Sequence, residues 1–236
     1  MKRVFAAVAT ALLCASGGAA LVAPTVDQAL VESDAMPPKL SAFGLFRGND
    51  PNAPAAGIGY TLRAPLFSDY TDKRRFISIP AGRKAAVAPD GTIEFPVGTV
   101  LVKSFGWSDV NAGRPVETRL LIRRASGWAA LPYIWDADGK DATLVLGGRR
   151  VPVTFNSPDG TAHSIRYAVP NKNQCKECHS LNGEIVPIGP KARNFILDPA
   201  ASDALRSRYF ENPAALRPVM PQWDDPSSSS VASRAR

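Results

Sequence analysis

Glu117-Thr118-Arg119-Leu120-Leu121-Ile122-Arg123, followed by Ala129-Ala130-Leu131-Pro132-Tyr133-Ile134-Trp135, is the stretch on which the fold turns. Thr118 and Ile122 in the first run and Tyr133, Ile134 and Trp135 in the second are strand-favouring side chains, and both runs are too short for helices, so they read as neighbouring strands. Working outward, Thr92 to Phe95, Thr99 to Phe105, Thr143 to Leu146, Val151 to Phe155 and His163 to Val169 have the same character. Asp90-Gly91, Asp138-Gly139 and Asp159-Gly160 punctuate these runs, and Gly147-Gly148 does the same after Leu146. Asp-Gly pairs suit tight hairpin turns, because glycine adopts positive φ without steric cost. About seven short strands at this spacing predict an antiparallel β-sandwich or barrel-like domain over 60–168.

Composition agrees with a globular chain cut into short elements. Of 236 residues, 45% are hydrophobic and 21% charged, which excludes wholesale disorder. Twenty-one prolines and 18 glycines, together about one residue in six, argue against an all-helical bundle. Residues 21–59 are rich in Pro, Ala, Gly and Asn and read as an irregular N-terminal arm, with only Leu40 to Phe46 expected to pack.

The first 20 residues read as a secretory signal peptide. Lys2 and Arg3 precede an apolar run from Val4 to Leu13, and small residues follow from Ala15 to Ala20. Ten apolar residues are too few to span a bilayer. Cys14 invites a lipoprotein reading, but Leu13 is bulky where that processing wants a small residue. Loss of Lys2 and Arg3 lowers the formal charge from +7 to +5, leaving little basis for nucleic-acid binding. A soluble, periplasmic protein with no transmembrane segment is expected.

Export also leaves two cysteines, Cys175 and Cys178, in Cys175-Lys176-Glu177-Cys178-His179. C-x-x-C-H is the attachment signature of haem c. Two thiols at this spacing reach both vinyl groups of one porphyrin, and the next histidine lies beneath the iron. A thiol–disulfide site normally follows a βαβ-type strand, and no such pattern surrounds this motif. Structural zinc wants four ligands, whereas the exported chain offers two cysteines and two histidines, His163 and His179.

Two further features have plainer readings. Asp136, Asp138 and Asp141 partly mimic a calcium loop, but its twelfth position is Gly147 rather than an acid, so a hairpin turn is expected. Trp107, Trp128, Tyr133 and Trp135 could form a stacking platform, though aromatics on strands are usually core.

After the motif come Gly189-Pro190, then Asp198-Pro199, which reads as the N-cap and first position of a helix through Tyr209. Tyr209-Phe210-Glu211-Asn212-Pro213 and Met220-Pro221 follow. This tail resembles a small class I cytochrome c domain. The resemblance implies an α+β protein in which a small α-helical cytochrome c-like domain, 169–226, follows the β domain. A Ser-rich tail occupies 227–236. It implies His179 as proximal ligand, Pro190 as donor of a carbonyl to it, and Met220 as distal ligand, with His163 a rival.

A wider set of stretches is similar to an exported bacterial family of c-type (di)haem cytochromes of unassigned role. It comprises Leu66-Phe67-Ser68-Asp69, Phe95-Pro96-Val97-Gly98-Thr99-Val100, Glu117-Thr118-Arg119-Leu120-Leu121, Pro170-Asn171-Lys172-Asn173-Gln174-Cys175 and Ile188-Gly189-Pro190-Lys191-Ala192-Arg193-Asn194. Relatives in that family continue past an Arg-Ala-Arg into a second C-x-x-C-H, so the chain ending in Arg234-Ala235-Arg236 reads as the N-terminal portion of a dihaem protein, truncated before the second motif, or as a shortened single-haem member. The function expected is single-electron transfer through one covalently attached haem c. A redox partner protein, such as an exported dehydrogenase, would dock on Lys172, Lys176, Lys191 and Arg193. The alternative is a ligand- or sugar-binding β domain whose haem is the electron outlet of a dehydrogenase system. No nucleophile–base pair or nucleotide-binding glycine loop supports substrate chemistry in the chain itself.

Overall fold

The computed structural model describes residues 25–221. The leader at 1–20 and the Ser-rich tail at 227–236 lie outside that range. In chain order the elements are α1 (Gln28–Glu32), β1 (Ile58–Leu62), β2 (Asp72–Ser78), β3 (Ala86–Val87), β4 (Ile93–Glu94) and β5 (Val100–Gly106). These are followed by β6 (Glu117–Arg124), β7 (Gly127–Trp135), β8 (Ala142–Leu144), β9 (Arg149–Asn156), β10 (Ala162–Val169) and α2 (Lys172–Cys178). The last are β11 (Ser180–Leu181), β12 (Glu184–Ile185), β13 (Phe195–Leu197) and α3 (Asp203–Tyr209).

Seven strands form one antiparallel sheet in the order β13-β1-β2-β5-β6-β7-β8. All seven expected strands are present, and each Asp-Gly pair lies in a turn between strands. Gly91, Gly139 and Gly160 take φ of 81°, 65° and 84°. Asp136 and Asp141 are held in the β7–β8 turn, where Asp136 pairs with Lys39 at 2.7 Å and Asp141 accepts from Ser41.

Alternation along the strands divides the sheet into two faces. One face buries Val100, Val102, Leu120, Ile122, Leu131 and Tyr133 beneath Val31, Leu40, Phe43, Leu45 and Phe46. The expected irregular arm is therefore a cover for the sheet: Asp27 caps α1 and Tyr133 Oη donates to Pro37 O at 2.9 Å. The opposite face carries two separate apolar clusters. Ile77, Leu101, Ile93 and Phe95 pack with β13 and α3 at one end, while Trp107, Val116 and Ile134 pack with the β9–β10 hairpin at the other. The stretch between them holds the candidate site.

Three expectations about architecture are overturned. The protein is mostly β, with 37% strand and 16% helix, and among the described residues there is no small helical cytochrome c-like domain. Between 169 and 221 the only α-helices are α2 and α3, each of seven residues. The physical reason is β13: Phe195, Ile196 and Leu197 pair with Leu62, Thr61 and Tyr60, and Phe195 stacks on Tyr60 at 4.6 Å. The segment after the motif thus completes the main sheet instead of building a separate helical core. Nor is there a closed barrel or a sandwich of matched sheets, because the two-stranded β9–β10 hairpin covers only part of the second face. Asp198-Pro199 is a turn and not a helix start: Asp198 accepts from Ala200 N, and Ser202 caps α3.

Trp107, Tyr133 and Trp135 are core residues, as aromatics on strands usually are. Among the described residues, no helix is long and apolar enough to cross a membrane.

Candidate functional site

Local chemistry fixes where α2 begins. The Asn171 side chain accepts from Gln174 N at 2.8 Å, and Gln174 Oε1 accepts from Asn171 N at 3.0 Å, closing a reciprocal capping box. Gly148 sits against this start with φ of 71°, where a Cβ would lie 2.8 Å from Val169 O and 2.9 Å from Asn171 N. Leu146 O accepts from Lys172 N at 2.9 Å, tying the β8–β9 turn to the first turn of α2. Cys175 then points into the protein and is buried, while Cys178, one turn later, is exposed; both thiols are free.

His179 ends the helix, its N–H donating to Cys175 O at 3.0 Å. The chain next makes a tight hairpin, β11 to β12, through Asn182 and Gly183 with φ of 53° and 83°. Asn-Gly is the preferred pair for a turn with two positive φ values. The hairpin brings Val186 back onto His179: Val186 N donates to His179 O at 2.7 Å, and His179 Nδ1 lies 3.2 Å from Val186 O. A carbonyl only accepts, so Nδ1 carries the proton. Burial pushes the His179 pKa below its ordinary value, with the cations Lys103 and Arg119 acting in the same direction. The neutral ring therefore keeps its lone pair on Nε2, the state and orientation a metal-ligating histidine needs.

Cys175, Cys178 and His179 share a cavity of about 310 Å3 with Leu66, Lys103 and Arg119. Its floor is the second sheet face, including Leu121 of β6 and Ala130 of β7, and its wall is α2. Its rim carries Leu66, 72% exposed, next to Phe67, 62% exposed. Loop 63–71 holds that rim in place through Asp69 O, which accepts from Trp107 Nε1 at 2.8 Å. Three of the stretches that carry the family resemblance meet here: Leu66–Asp69 at the rim, Glu117–Leu121 in the floor and Pro170–Cys175 in the wall.

The floor is charged. Glu117 is completely buried, where it accepts from Arg119 Nη2 at 2.9 Å and from Tyr167 Oη at 2.8 Å. Burial pushes the Tyr167 phenol far above its ordinary range, with the Glu117 charge adding to the shift. Burial also raises the Cys175 thiol, the opposite of an activated redox cysteine.

Other sequence candidates lie elsewhere. The carbonyl at His179 Nδ1 belongs to Val186, not to Pro190, which is buried beside a neighbouring groove of about 730 Å3 lined by Trp128, Phe95 and Ile188. Met220 is outside the cysteine cavity, with its N–H on Arg193 O and its carbonyl accepting from Arg63. His163 is in β10, stacked on Phe155 at 5.1 Å and 2.9 Å from Ser157 Oγ. Sequence reading missed Lys103, Arg119 and Glu117, whose roles depend on strand register. It also missed Val186, although Asn182-Gly183 was a legible signal for the hairpin that delivers it.

Haem c fits this arrangement on three counts. The two thiols and the oriented imidazole line one cavity, the rim is apolar and exposed, and the floor offers cations to acidic substituents. Zinc fits less well: among the described residues no three His, Cys, Asp or Glu side chains group as a ligand set. Comparison with protein-family models, with curated proteins and with solved structures finds no match to this chain.

Proposed function

We propose that the protein is an exported, periplasmic c-type cytochrome that passes single electrons through one haem attached at Cys175 and Cys178. The observation that carries this reading is the convergence of both thiols on one cavity with His179, whose Nδ1–H is already committed to Val186 O. When bound, haem c supplies an iron centre that accepts and releases one electron at a time.

The chain's residues account for attachment and orientation. Cys175 and Cys178 would hold the haem through thioethers, each S–H adding across one vinyl C=C with its hydrogen going to the second vinyl carbon, so that no oxidant would be consumed. His179 would hold the iron through Nε2, and the Val186 carbonyl at Nδ1 would fix the ring plane and raise its basicity. Leu66 and Leu121 line the cavity and would exclude water from the macrocycle's apolar surface. Lys172 and Lys176 stand exposed on α2, and Lys191 and Arg193 are also exposed, basic groups suited to an acidic redox partner.

Expression with a periplasmic leader and c-type maturation machinery tests the proposal. The purified protein should give a pyridine-alkali spectrum for one thioether-bound haem per chain and titrate with one electron equivalent. A haem-free chain carrying a Cys175–Cys178 disulfide would overturn it.

A further inference from the structure

The sheet face beneath the cavity gathers positive charge, with Lys103 and Arg119 both over the Phe105 ring at 4.5 and 4.2 Å. Arg75 of β2, Lys103 of β5 and Arg119 of β6 are direct cross-strand partners in a single row, which Pro132 continues on β7. At about 4.8 Å between strands, the three cations span roughly 10 Å. Lys73 flanks the row on the same side of β2. Across β2, β5 and β6 the one carboxylate on this face is Glu117, already engaged by Arg119 and Tyr167. Arg75 Nη2 is buried with no hydrogen-bond partner among the described residues. Burial and the flanking guanidiniums push Lys103 down to about 7. Like charges directly opposite destabilise a ladder, and an unpaired buried donor adds a further cost. The row is therefore a site arranged for an anion.

Its direction identifies the anion. The helix α2, with both cysteines, lies against β7. Stepping from β7 to β6, β5 and β2 along the row leads away from the thiols, past Pro132 to Arg119, Lys103 and Arg75. A porphyrin of the haem c type carries its vinyl groups and its two propionates on opposite edges. Anchoring the vinyl edge on α2 turns the carboxylates toward the row.

We propose that Arg119 and Lys103, which line the cavity, seat the two propionate carboxylates of the porphyrin whose vinyl carbons bond to Cys175 and Cys178. This inference rests on the haem attachment proposed above. It assigns Lys103, whose amine is not engaged by any carboxylate, as the main propionate donor, with Arg119 held in place by Glu117. Arg75 stands behind them in the row and adds to the positive potential.

The test uses the haem-loaded chain, wild type and Lys103→Met, with Lys176→Gln as an exposed-cation control and Lys103→Arg as the rescue. The pyridine-alkali spectrum is read first, because a wild type without covalent haem defeats the underlying reading and not this one. With haem present, Lys103→Met should shift the one-electron reduction equilibrium about tenfold toward the oxidised form, equivalent to ~59 mV. Removing a positive charge disfavours the reduced iron, so the potential falls. The propionate bending band in resonance Raman should move in Lys103→Met and return in Lys103→Arg, with the visible spectrum unchanged. A shift no larger than that of Lys176→Gln, with the Raman band fixed, overturns the assignment. A changed spin state in Lys103→Met also overturns it, because the amine would then be an iron ligand.

Discussion

Lys103 and Arg119 stand directly opposite each other on β5 and β6, two cations in a ladder position where opposite charges ordinarily meet. Both line the cavity that holds Cys175, Cys178 and His179. The relationship makes the haem-free chain electrostatically frustrated at the point where the cofactor would bring two carboxylates.

Relieving that frustration should stabilise the haem-free protein. Lys103→Met removes one member of the like-charged row while keeping the length of the stem, and a gain of about 0.2–1 kcal/mol is expected. The midpoint of urea unfolding measures it. A lower midpoint than wild type would show that the amine contributes a favourable contact in the haem-free state.

The same group dictates a pH dependence. Lys103 is pushed down to about 7 in the fold, first by burial and then by Arg75, Arg119 and Lys73, from an ordinary 10.5. Between those values the unfolded chain binds more protons at this site than the folded one, so stability rises with pH across that window. Below about 7 the cost of the buried charge is present in full. Urea midpoints of the haem-free chain should climb from pH 7 toward pH 10, and the climb should be smaller in Lys103→Met. Equal slopes in the two proteins would contradict the assignment.

Glu117 tests the pairing within the floor. Its carboxylate is completely buried and accepts from both Arg119 and Tyr167. Glu117→Ala leaves the Arg119 charge without its counter-ion and should destabilise the chain by about 3–5 kcal/mol. Tyr167→Phe removes one hydrogen bond and should cost only about 0.5–3 kcal/mol. Chemical denaturation ranks the two, and the reverse order would show that Arg119 is not dependent on Glu117.

Gly148→Ala probes the link between the sheet and α2. The substitution forces a side chain into positive-φ backbone with its Cβ 2.8 Å from Val169 O, so a loss of about 1–3 kcal/mol is expected. Because Leu146 and Gly148 abut the first turn of α2, the yield of haem-loaded protein should fall with it. An unchanged denaturation midpoint would mean that the turn relaxes at no cost.

Met220 lies away from the cavity, its backbone bonded to Arg63 and Arg193. Met220→Ala should leave the visible spectrum and the potential of the haem-loaded protein as they are in wild type. Loss of a sulfur-to-iron charge-transfer band on substitution would place the thioether on the iron after all.

Strands declared themselves in the sequence because their signals are local. The strand-favouring runs at Glu117 and Ala129 and the Asp-Gly turns need only neighbouring residues to be read, and they became β6, β7 and their connections. Phe195–Leu197 is three residues long, and only its pairing with β1, over 130 positions earlier, makes it a strand. That long-range pairing is why the tail joins the sheet and why the expected helical domain is absent. The Cys175–His179 pentapeptide was equally legible as a motif. What surrounds it was not, since Lys103 and Arg119 become neighbours only through the register of β5 and β6. Val186 was within reach, because Asn182-Gly183 announces the turn that returns the chain to His179.

Intact mass of the exported chain, measured under denaturing conditions after co-expression with the c-type maturation machinery, tests the central claim most directly. Wild type should carry the added mass of one haem that survives acid extraction. Cys175→Ala and Cys178→Ala should each hold it through a single thioether or lose it, and the double variant should lose it entirely. Wild type at the mass of the polypeptide alone, or retention of covalent haem by the double variant, would contradict the account.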